Sequence, residues 1–504
     1  MQKSEYQIAI HNTYQNDTRN IVVGAVAGSG KTTTLLMLLE QIRGTAYFMA
    51  FNKSIVNELK NRIPLSNNIK IATCHSIGMK SLMSYFSKSF ELDTWKTWKV
   101  LQKQNKRWKL PKKSFNKTAL MISQLYDMYR MTLCESIEDL IVVADRQGLY
   151  HDSSILSKFS ETLMMMETMN KNPVSIDFVD MIYLPATIKE LQLPQPDNLF
   201  IDEAQDLNAA QHKMVDKMRT KGRFIAVGDP RQSIYGFAGA DTNSFQRFID
   251  KENTIQLPLS VCYRCGTDIV KYAQRYNETI QPFEGKDKGI VKFGTIDEVT
   301  YNDMVICRNL RPLIDTFFQI IDLGLPAFIK GKDIAKGLID ILKNVEVLSL
   351  GELSQYFKEE LLKLSEKLIE KGIDSPLTHP SYVNRSEKYS VILRISFKFT
   401  TISEVISFVE EIFSDVNREN SVILSTIHKA KGLESTNVFF VDRQLIPSKF
   451  ASTTEQIRQE YNLYYVGITR AKERLIFINS NGSRAKHEKF SGDQEKRRQR
   501  GRFI

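Results

Sequence analysis

The chain has 504 residues and carries 69 Lys and Arg against 58 Asp and Glu, a net charge of +11. That length exceeds one ordinary hydrophobic core and predicts roughly two to four domains. With 42% hydrophobic and 25% charged residues and no apolar run of bilayer-spanning length, the composition argues against a membrane partner and for a soluble globular protein with a polyanionic one.

Met1 to Asn20 reads as a helix with Tyr6, Ile8, Ile10 and Tyr14 apolar. Its polar start, Met1 to His11, has no signal-peptide apolar region, so a cytoplasmic location is expected. The Gln7 amide can donate to and accept from an adenine edge; the plainer reading is a surface residue. Next comes the apolar run Ile21-Val22-Val23, then Ala25-Val26-Ala27-Gly28-Ser29-Gly30-Lys31-Thr32-Thr33-Thr34, then a leucine-rich run from Leu35 to Leu39. Strand, glycine-rich loop and helix in that order are the setting of the phosphate loop G-x-x-x-x-G-K-[ST]. Ala25 takes the first glycine position, and Gly30-Lys31-Thr32 close the motif. Glycines let several backbone N–H groups approach a phosphate chain, and the helix N-terminus adds partial positive charge. Lys31 would neutralise the β- and γ-phosphates, and the Thr32 hydroxyl would hold Mg²⁺.

A strand, Ala46 to Lys53, ends in Phe51, Asn52 and Lys53; a helix from Ser54 to Arg62 follows, and Pro64 ends it. A second strand, Ile69 to Ser76, ends in Thr73, His75 and Ser76, at the end of a parallel strand where ligands bind. From Met79 to Asn170 the pattern is helical and reads as an insertion. It holds Trp95, Trp98 and Trp108 among Lys96, Lys99, Lys103, Lys106, Arg107, Lys109, Lys112, Lys113 and Lys117. Aromatics among cations suit a single strand of nucleic acid; a solvated basic face over a tryptophan-containing core suits the pattern equally.

The apolar strand Asn198-Leu199-Phe200-Ile201 runs into Asp202-Glu203-Ala204-Gln205-Asp206. Asp202 would reach Mg²⁺ through water, and Glu203 would polarise the attacking water. The strand from Phe224 to Gly228 leads to Asp229-Pro230-Arg231-Gln232-Ser233-Ile234-Tyr235-Gly236-Phe237, where Gln232 can sense a γ-phosphate and Tyr235 and Phe237 can face a nucleic acid. Five cysteines (Cys74, Cys134, Cys262, Cys265, Cys307) are scattered and odd in number, as expected of a reducing compartment. Cys262-x-x-Cys265 lacks a second pair and reads as two ordinary thiols rather than a zinc site. A second α/β pattern starts near Val291, with a strand at Asp303 to Arg308 and a helix from Pro312 to Ile321. Ala335 to Phe413 is mostly helical, the sheet pattern resumes at Ser421 to His428, and a helix from Glu455 to Val466 leads to Gly467-Ile468-Thr469-Arg470. Gly482 to Ile504 is a basic, polar tail that reads as disordered.

The ordered set of motifs resembles the superfamily 1 DNA helicases of the UvrD/Rep class, from Gln7 to Arg470. The resemblance rests on Ala27-Gly28-Ser29-Gly30-Lys31-Thr32, Phe51-Asn52-Lys53, Thr73-x-His75-Ser76, Asp202-Glu203-Ala204-Gln205-Asp206 and Gly228-Asp229-Pro230-Arg231-Gln232-Ser233-Ile234-Tyr235. It continues with Tyr263-Arg264, Thr426-Ile427-His428-Lys429-Ala430-Lys431-Gly432-Leu433-Glu434 and Tyr465-Val466-Gly467-Ile468-Thr469-Arg470-Ala471. It implies an α/β fold of two RecA-like P-loop domains with parallel sheets plus helical insertions. The expected layout is 1–84 with 171–258 as the first such domain and 85–170 as its insertion. Residues 259–344 with 419–480 form the second domain, 345–418 a reduced insertion, and 481–504 a tail.

By the same resemblance ATP and Mg²⁺ are the cofactors, bound between the two domains. Gln7 reads adenine and Tyr263 stacks on it; Ala27, Gly28, Ser29, Gly30, Lys31, Thr32 and Thr33 hold the phosphates, and Thr32 and Asp202 the metal. Glu203 is the base, Gln232 contacts the γ-phosphate, Arg264 and Arg470 are arginine fingers, and Glu434 approaches the ribose. Phe51, Asn52, Thr73, His75, Tyr235, Phe237, Thr426 and His428 line the single strand. The implied activity is ATP-driven, 3′-to-5′ translocation on single-stranded DNA with strand separation, acting at single-strand/duplex junctions beside replication or repair proteins. The alternative is a DNA-stimulated ATPase that strips nucleoprotein complexes without unwinding. Phe237 stands where many members have Trp and Ala238 where many have Arg, and the stretch from Arg264 to Ser421 is short for the class. The compact layout is similar to phage-encoded members.

Overall fold

A computed structural model describes residues 3–50, 53–62, 68–147, 149–234, 236, 243–347, 349–370, 373, 375–414, 416, 419–451 and 453–483. The chain divides into two compact units, residues 1–26 with 30–260 and residues 27–29 with 261–504.

In the first unit α1 (Glu5–Asn16) begins at a capping box in which Ser4 and Gln7 satisfy each other's backbone N–H groups. There follow β1 (Asn20–Ala25), α2 (Lys31–Leu39), β2 (Ala46–Ala50), α3 (Lys53–Arg62), β3 (Ile69–Thr73) and α4 (Cys74–Tyr85). Next are β4 (Glu91–Leu92), α5 (Lys96–Trp108), α6 (Lys112–Thr132), α7 (Ile137–Gln147), α8 (Ser153–Asn170), β5 (Ser175–Ile176) and α9 (Asp180–Thr187). The unit closes with β6 (Asn198–Ile201), α10 (Ala209–Met218), β7 (Arg223–Gly228), α11 (Ser244–Ile249) and β8 (Thr254–Leu259).

Six strands form one parallel sheet in the order β3-β2-β6-β7-β1-β8. Its inner strands are apolar at consecutive positions because both faces are covered. Ile21, Val23, Phe48, Phe200, Ile225 and Val227 pack on one face with Ile10, Leu35 and Leu38. Val22, Met49, Leu199, Ile201, Phe224 and Ala226 pack on the other with Ile77, Met214 and Val215. Phe48 and Phe200, partners in register, stack with centroids 6.3 Å apart. The α4–α9 crossing is close because Gly78 has no side chain: a Cβ there would lie 1.7 Å from the Met181 carbonyl oxygen.

Helices α5–α8 build their own core around Leu101, Ile122, Leu125 and Phe159, with Trp98 and Trp108 packed against it. Trp98 meets Phe115 edge-on at 5.4 Å, and the Trp108 indole donates to Glu161 at 3.1 Å. These two rings belong to the core reading of the tryptophan stretch, whereas Trp95 remains 58% exposed. Lys96, placed by the sequence among the surface cations, is instead buried. It bonds Asp180 at 2.5 Å and Asn170 at 2.8 Å. Arg130, fully buried, bonds Asp180 at 2.7 Å and Asp177 at 2.8 Å, so one ionic knot ties α5 and α6 to the start of α9.

The second unit contains β9 (Val261–Cys262), α12 (Thr267–Ala273), β10 (Gln281–Pro282), β11 (Ile290–Phe293), β12 (Met304–Cys307), α13 (Leu310–Asp322) and β13 (Ala327–Ile329). It continues with α14 (Lys332–Lys343), α15 (Leu353–Ile369), α16 (Pro380–Ser396), α17 (Ile402–Ile412), β14 (Val422–Thr426), α18 (Ile427–Ala430), β15 (Ser435–Val441), α19 (Thr454–Ile468) and β16 (Ala471–Ile478). Its parallel sheet has the order β11-β16-β15-β12-β14-β13. Leu338, Phe357, Val391 and Val405 of α14–α17 share one core with Val305, Ile329, Leu424 and Phe439 of the strands. Among the described residues no helix is long and apolar enough to cross a membrane.

Candidate functional site

Because β1, β3, β6 and β7 run parallel, the residues that follow them gather at one edge of the first unit's sheet. The loop after β1 takes left-handed turns at Gly28 (φ 67°) and Gly30 (φ 81°), which a side chain would strain. Gly30 is the N-cap of α2, and no side chain caps that first turn. A helix N-terminus left this way suits an anion. Ala27 and Ser29 are buried, Thr32 is partly buried and Thr33 is exposed. Gln7 lies against the loop, but its amide is engaged: Nε2 donates to Thr34 Oγ1 at 3.1 Å and Oε1 accepts from the Ser4 N–H at 3.1 Å.

After β6, Glu203 sits at φ 50°, an unusual backbone for a residue with a side chain. Its Oε1 is 3.1 Å from Lys31 Nζ. Burial disfavours the charge on Lys31, but Glu203, Asp229 and Asp202 outweigh it and hold the ammonium above its ordinary pKa. Burial, then the neighbouring Glu203, pushes Asp202 up to about 7, with Lys31 opposing. Asp229 is raised as well, chiefly by burial. Three carboxyl groups thus act on one ammonium, with Asp202 and Asp229 buried and Lys31 and Glu203 partly so. This donor set fits a magnesium ion, which Asp202 and the Thr32 hydroxyl would hold, with Lys31 left for phosphate oxygens.

Two residues that sequence reasoning left without a role complete this edge. Asp229 accepts from Gln232 Nε2 at 2.8 Å. Gln205 donates to Glu203 at 2.5 Å and accepts from the Asp229 N–H at 3.0 Å, so it links the two acidic strand ends. Their signal was partly present: Asp229 directly follows the buried apolar strand β7, whereas Gln205 stands in a short turn four residues beyond the end of β6. Thr73 is the N-cap of α4, accepting from the Ser76 N–H, so His75 and Ser76 lie in the first helical turn rather than at the strand end. His75 is partly buried, and burial lowers its pKa. Its ring meets Phe178 edge-on at 6.2 Å, and Phe178 is 51% exposed. No local pattern signals that pair, because Phe178 is distant from His75 in the chain. Phe51, Asn52, Tyr235 and Phe237 lie outside the described residues.

In the second unit Arg264 and Arg470 have different surroundings. Arg264 Nε is 2.6 Å from Glu434 Oε2, and Lys472 Nζ is 2.8 Å from Glu434 Oε1. Burial alone would raise the Glu434 pKa, but the two cations together lower it. Arg470 is 1% exposed and donates to the Val466 carbonyl at 2.9 Å, the Leu433 carbonyl at 3.0 Å and Thr469 Oγ1 at 3.2 Å. Tyr263 packs on Phe283 with centroids 4.9 Å apart, and its N–H donates to the Gly28 carbonyl at 2.9 Å. Thr426 is the N-cap of α18. His428 follows it, held down to about 4 by burial and by the Arg308 guanidinium, with Glu460 opposing.

A parallel sheet with a phosphate loop after β1 and carboxylates after β6 and β7 defines a P-loop nucleotide-binding protein. Family comparison refines that class. The UvrD/REP helicase N-terminal domain matches residues 6–253, and the UvrD-like helicase C-terminal domain matches residues 238–482. The chain belongs to the UvrD/Rep-like superfamily 1 helicases. It is 25% identical to the Gabija protein GajB of Bacillus cereus (strain VD045), over 56% of this chain and 63% of that protein. It is 22% identical to F-box DNA helicase protein 1 of Schizosaccharomyces pombe, over 90% of this chain and 55% of that protein. The ATP-dependent DNA helicase Rep of Buchnera aphidicola subsp. Schizaphis graminum is 21% identical over 90% of each chain. The chain therefore spans 63% and 55% of the length of the first two relatives.

Proposed function

We propose that the chain is an ATP-dependent DNA helicase that moves 3′ to 5′ along single-stranded DNA. The observation that carries the reading is the Lys31–Glu203 pair at 3.1 Å, with buried Asp202 and Asp229 beside it, at the mouth of the phosphate loop. Lys31 takes the β- and γ-phosphates, Thr32 and Asp202 take Mg²⁺, and Glu203 orients the attacking water. Gln232, held by Asp229, reports the γ-phosphate, and Arg264 and Arg470 serve as arginine fingers. Gln7 and Tyr263 serve the base and Glu434 the ribose. Thr73, His75, Thr426 and His428, with Phe51, Asn52, Tyr235 and Phe237, line the strand. Replication or repair proteins are its working partners. The family membership and the Rep relative support the activity; the polarity rests on the resemblance alone.

The test is strand displacement on 3′-tailed and 5′-tailed duplexes, with Lys31→Ala as control. Unwinding of the 3′-tailed substrate by the wild type alone supports the reading. Preference for the 5′ tail overturns the polarity, and equal unwinding by Lys31→Ala overturns the assignment of the loop. ATPase stimulated by single strands with no duplex separation points to the nucleoprotein-stripping alternative.

A further inference from the structure

Trp95 is the one tryptophan of this chain that the insertion core does not use. It is 58% exposed, whereas Trp98 and Trp108 pack against that core. Its position is set by a small parallel ribbon in which Glu91 pairs with Ser175 and Leu92 with Ile176. The Asp93 N–H extends the ribbon by donating to the Ile176 carbonyl at 2.8 Å. Trp95 follows Asp93 by two residues and Phe178 follows Ile176 by two. Parallel strands lie about 4.8 Å apart, so the two exposed rings leave the ribbon at the same end. Phe178 in turn touches His75.

The ring is also firmly based. Asp93 accepts from the Trp95 N–H at 3.0 Å and pairs with Lys99 at 2.8 Å. Lys96 is anchored in the buried ionic knot. Beyond Trp95, α5 buries Thr97, Val100, Leu101 and Gln104 and turns Lys103, Lys106 and Arg107 to solvent, with Lys109 exposed at its end. Spacings of three and four residues place Lys103, Lys106 and Arg107 on one face. No carboxylate pairs with these four cations among the described residues.

We propose that Trp95 is a base-stacking platform for single-stranded DNA. The strand runs from the His75–Phe178 edge over the ribbon onto the insertion, and Lys103, Lys106, Arg107 and Lys109 track its phosphates. An exposed aromatic ring at the start of a helix whose later turns carry exposed cations fits a single strand, whose bases offer their faces, better than a duplex, whose bases are already stacked. The inference deepens the function proposed above and rests on it.

The experiment titrates the full chain with oligodeoxythymidylates of about 8 to about 30 nucleotides, reading tryptophan emission and affinity for the wild type, Trp95→Phe and Trp95→Ala. Quenching in the wild type that disappears in Trp95→Phe is expected. Trp95→Ala should weaken binding of the longer oligonucleotides about 5- to 100-fold, by the same factor at every salt concentration, with Tm unchanged. A double Lys103→Glu, Lys106→Glu variant should instead flatten the salt dependence. Trp95→Ala binding single strands as the wild type does, or losing only duplex binding, overturns the proposal. If Trp95→Ala lowers Tm along with affinity, retained quenching in the folded Trp95→Phe variant is the outcome that overturns it. A wild type that binds no single strand removes the proposed function itself, a result distinct from an unaffected variant.

Discussion

Glu203 meets Lys31 and Gln205 at the same carboxylate, so its charge is compensated from both sides. Glu203→Gln keeps the shape and should leave nucleotide affinity within a few-fold, while single-turnover hydrolysis falls about 10²- to 10⁴-fold. Asp202 makes a pH prediction. Its pKa is raised from the ordinary value near 3.8 to about 7, so the folded state holds a proton there that the unfolded chain has released. Stability from this group is present at low pH and is lost as pH rises through that window. Asp202→Asn should therefore raise Tm at pH 8 relative to the wild type, with the gain shrinking toward pH 4, and it should abolish Mg²⁺-dependent ATPase. The two arginines separate by burial. Arg470→Ala strips donors from three oxygens inside the unit and should lower Tm along with ATPase. Arg264→Ala, whose Glu434 partner is exposed, should lower ATPase with Tm nearly unchanged.

Single changes also test how elements are joined. The knot of Lys96, Arg130, Asp177 and Asp180 gives α5 and α6 a fixed seat on α9. Removing one partner leaves buried charge uncompensated, so Asp180→Asn should cost about 3–5 kcal/mol in denaturant unfolding. Replacing the knot with well-packed apolar groups should cost far less, since desolvation opposes the ionic gain. At the α4–α9 crossing, Gly78→Ala puts a methyl group into the Met181 carbonyl. The helices must separate there, and a loss of about 1–3 kcal/mol or more is expected from thermal or chemical unfolding.

At the scale of the whole molecule, a net charge of +11 favours a polyanionic strand, and the number of phosphates neutralised sets how steeply binding falls with salt. Each single-strand phosphate neutralised contributes about −0.7 to the slope of log affinity against log salt. A slope near −3 or steeper is expected if Lys103, Lys106 and Arg107 of α5 and Lys109 at its end act with the sheet edge, and a flat response would contradict a charged path.

The sequence by itself determined the motifs and the alternation of strand and helix, because a phosphate loop and buried parallel strands are local patterns of glycine, charge and apolar residues. The parallel sheets it implied are present in both units. Lys31, Asp202 and Glu203 could be assigned to one nucleotide site because their motifs follow apolar strands; the direct Lys31–Glu203 contact could not be read there. The sequence could not say which of three tryptophans was exposed, that Lys96 was buried, that Thr73 would cap a helix and carry His75 into it, or that Phe178 would meet His75. Those outcomes depend on which distant segments share a face or a ribbon. A charged or aromatic residue has the same local signature whether it ends in water or in a core, so only the tertiary structure decided them.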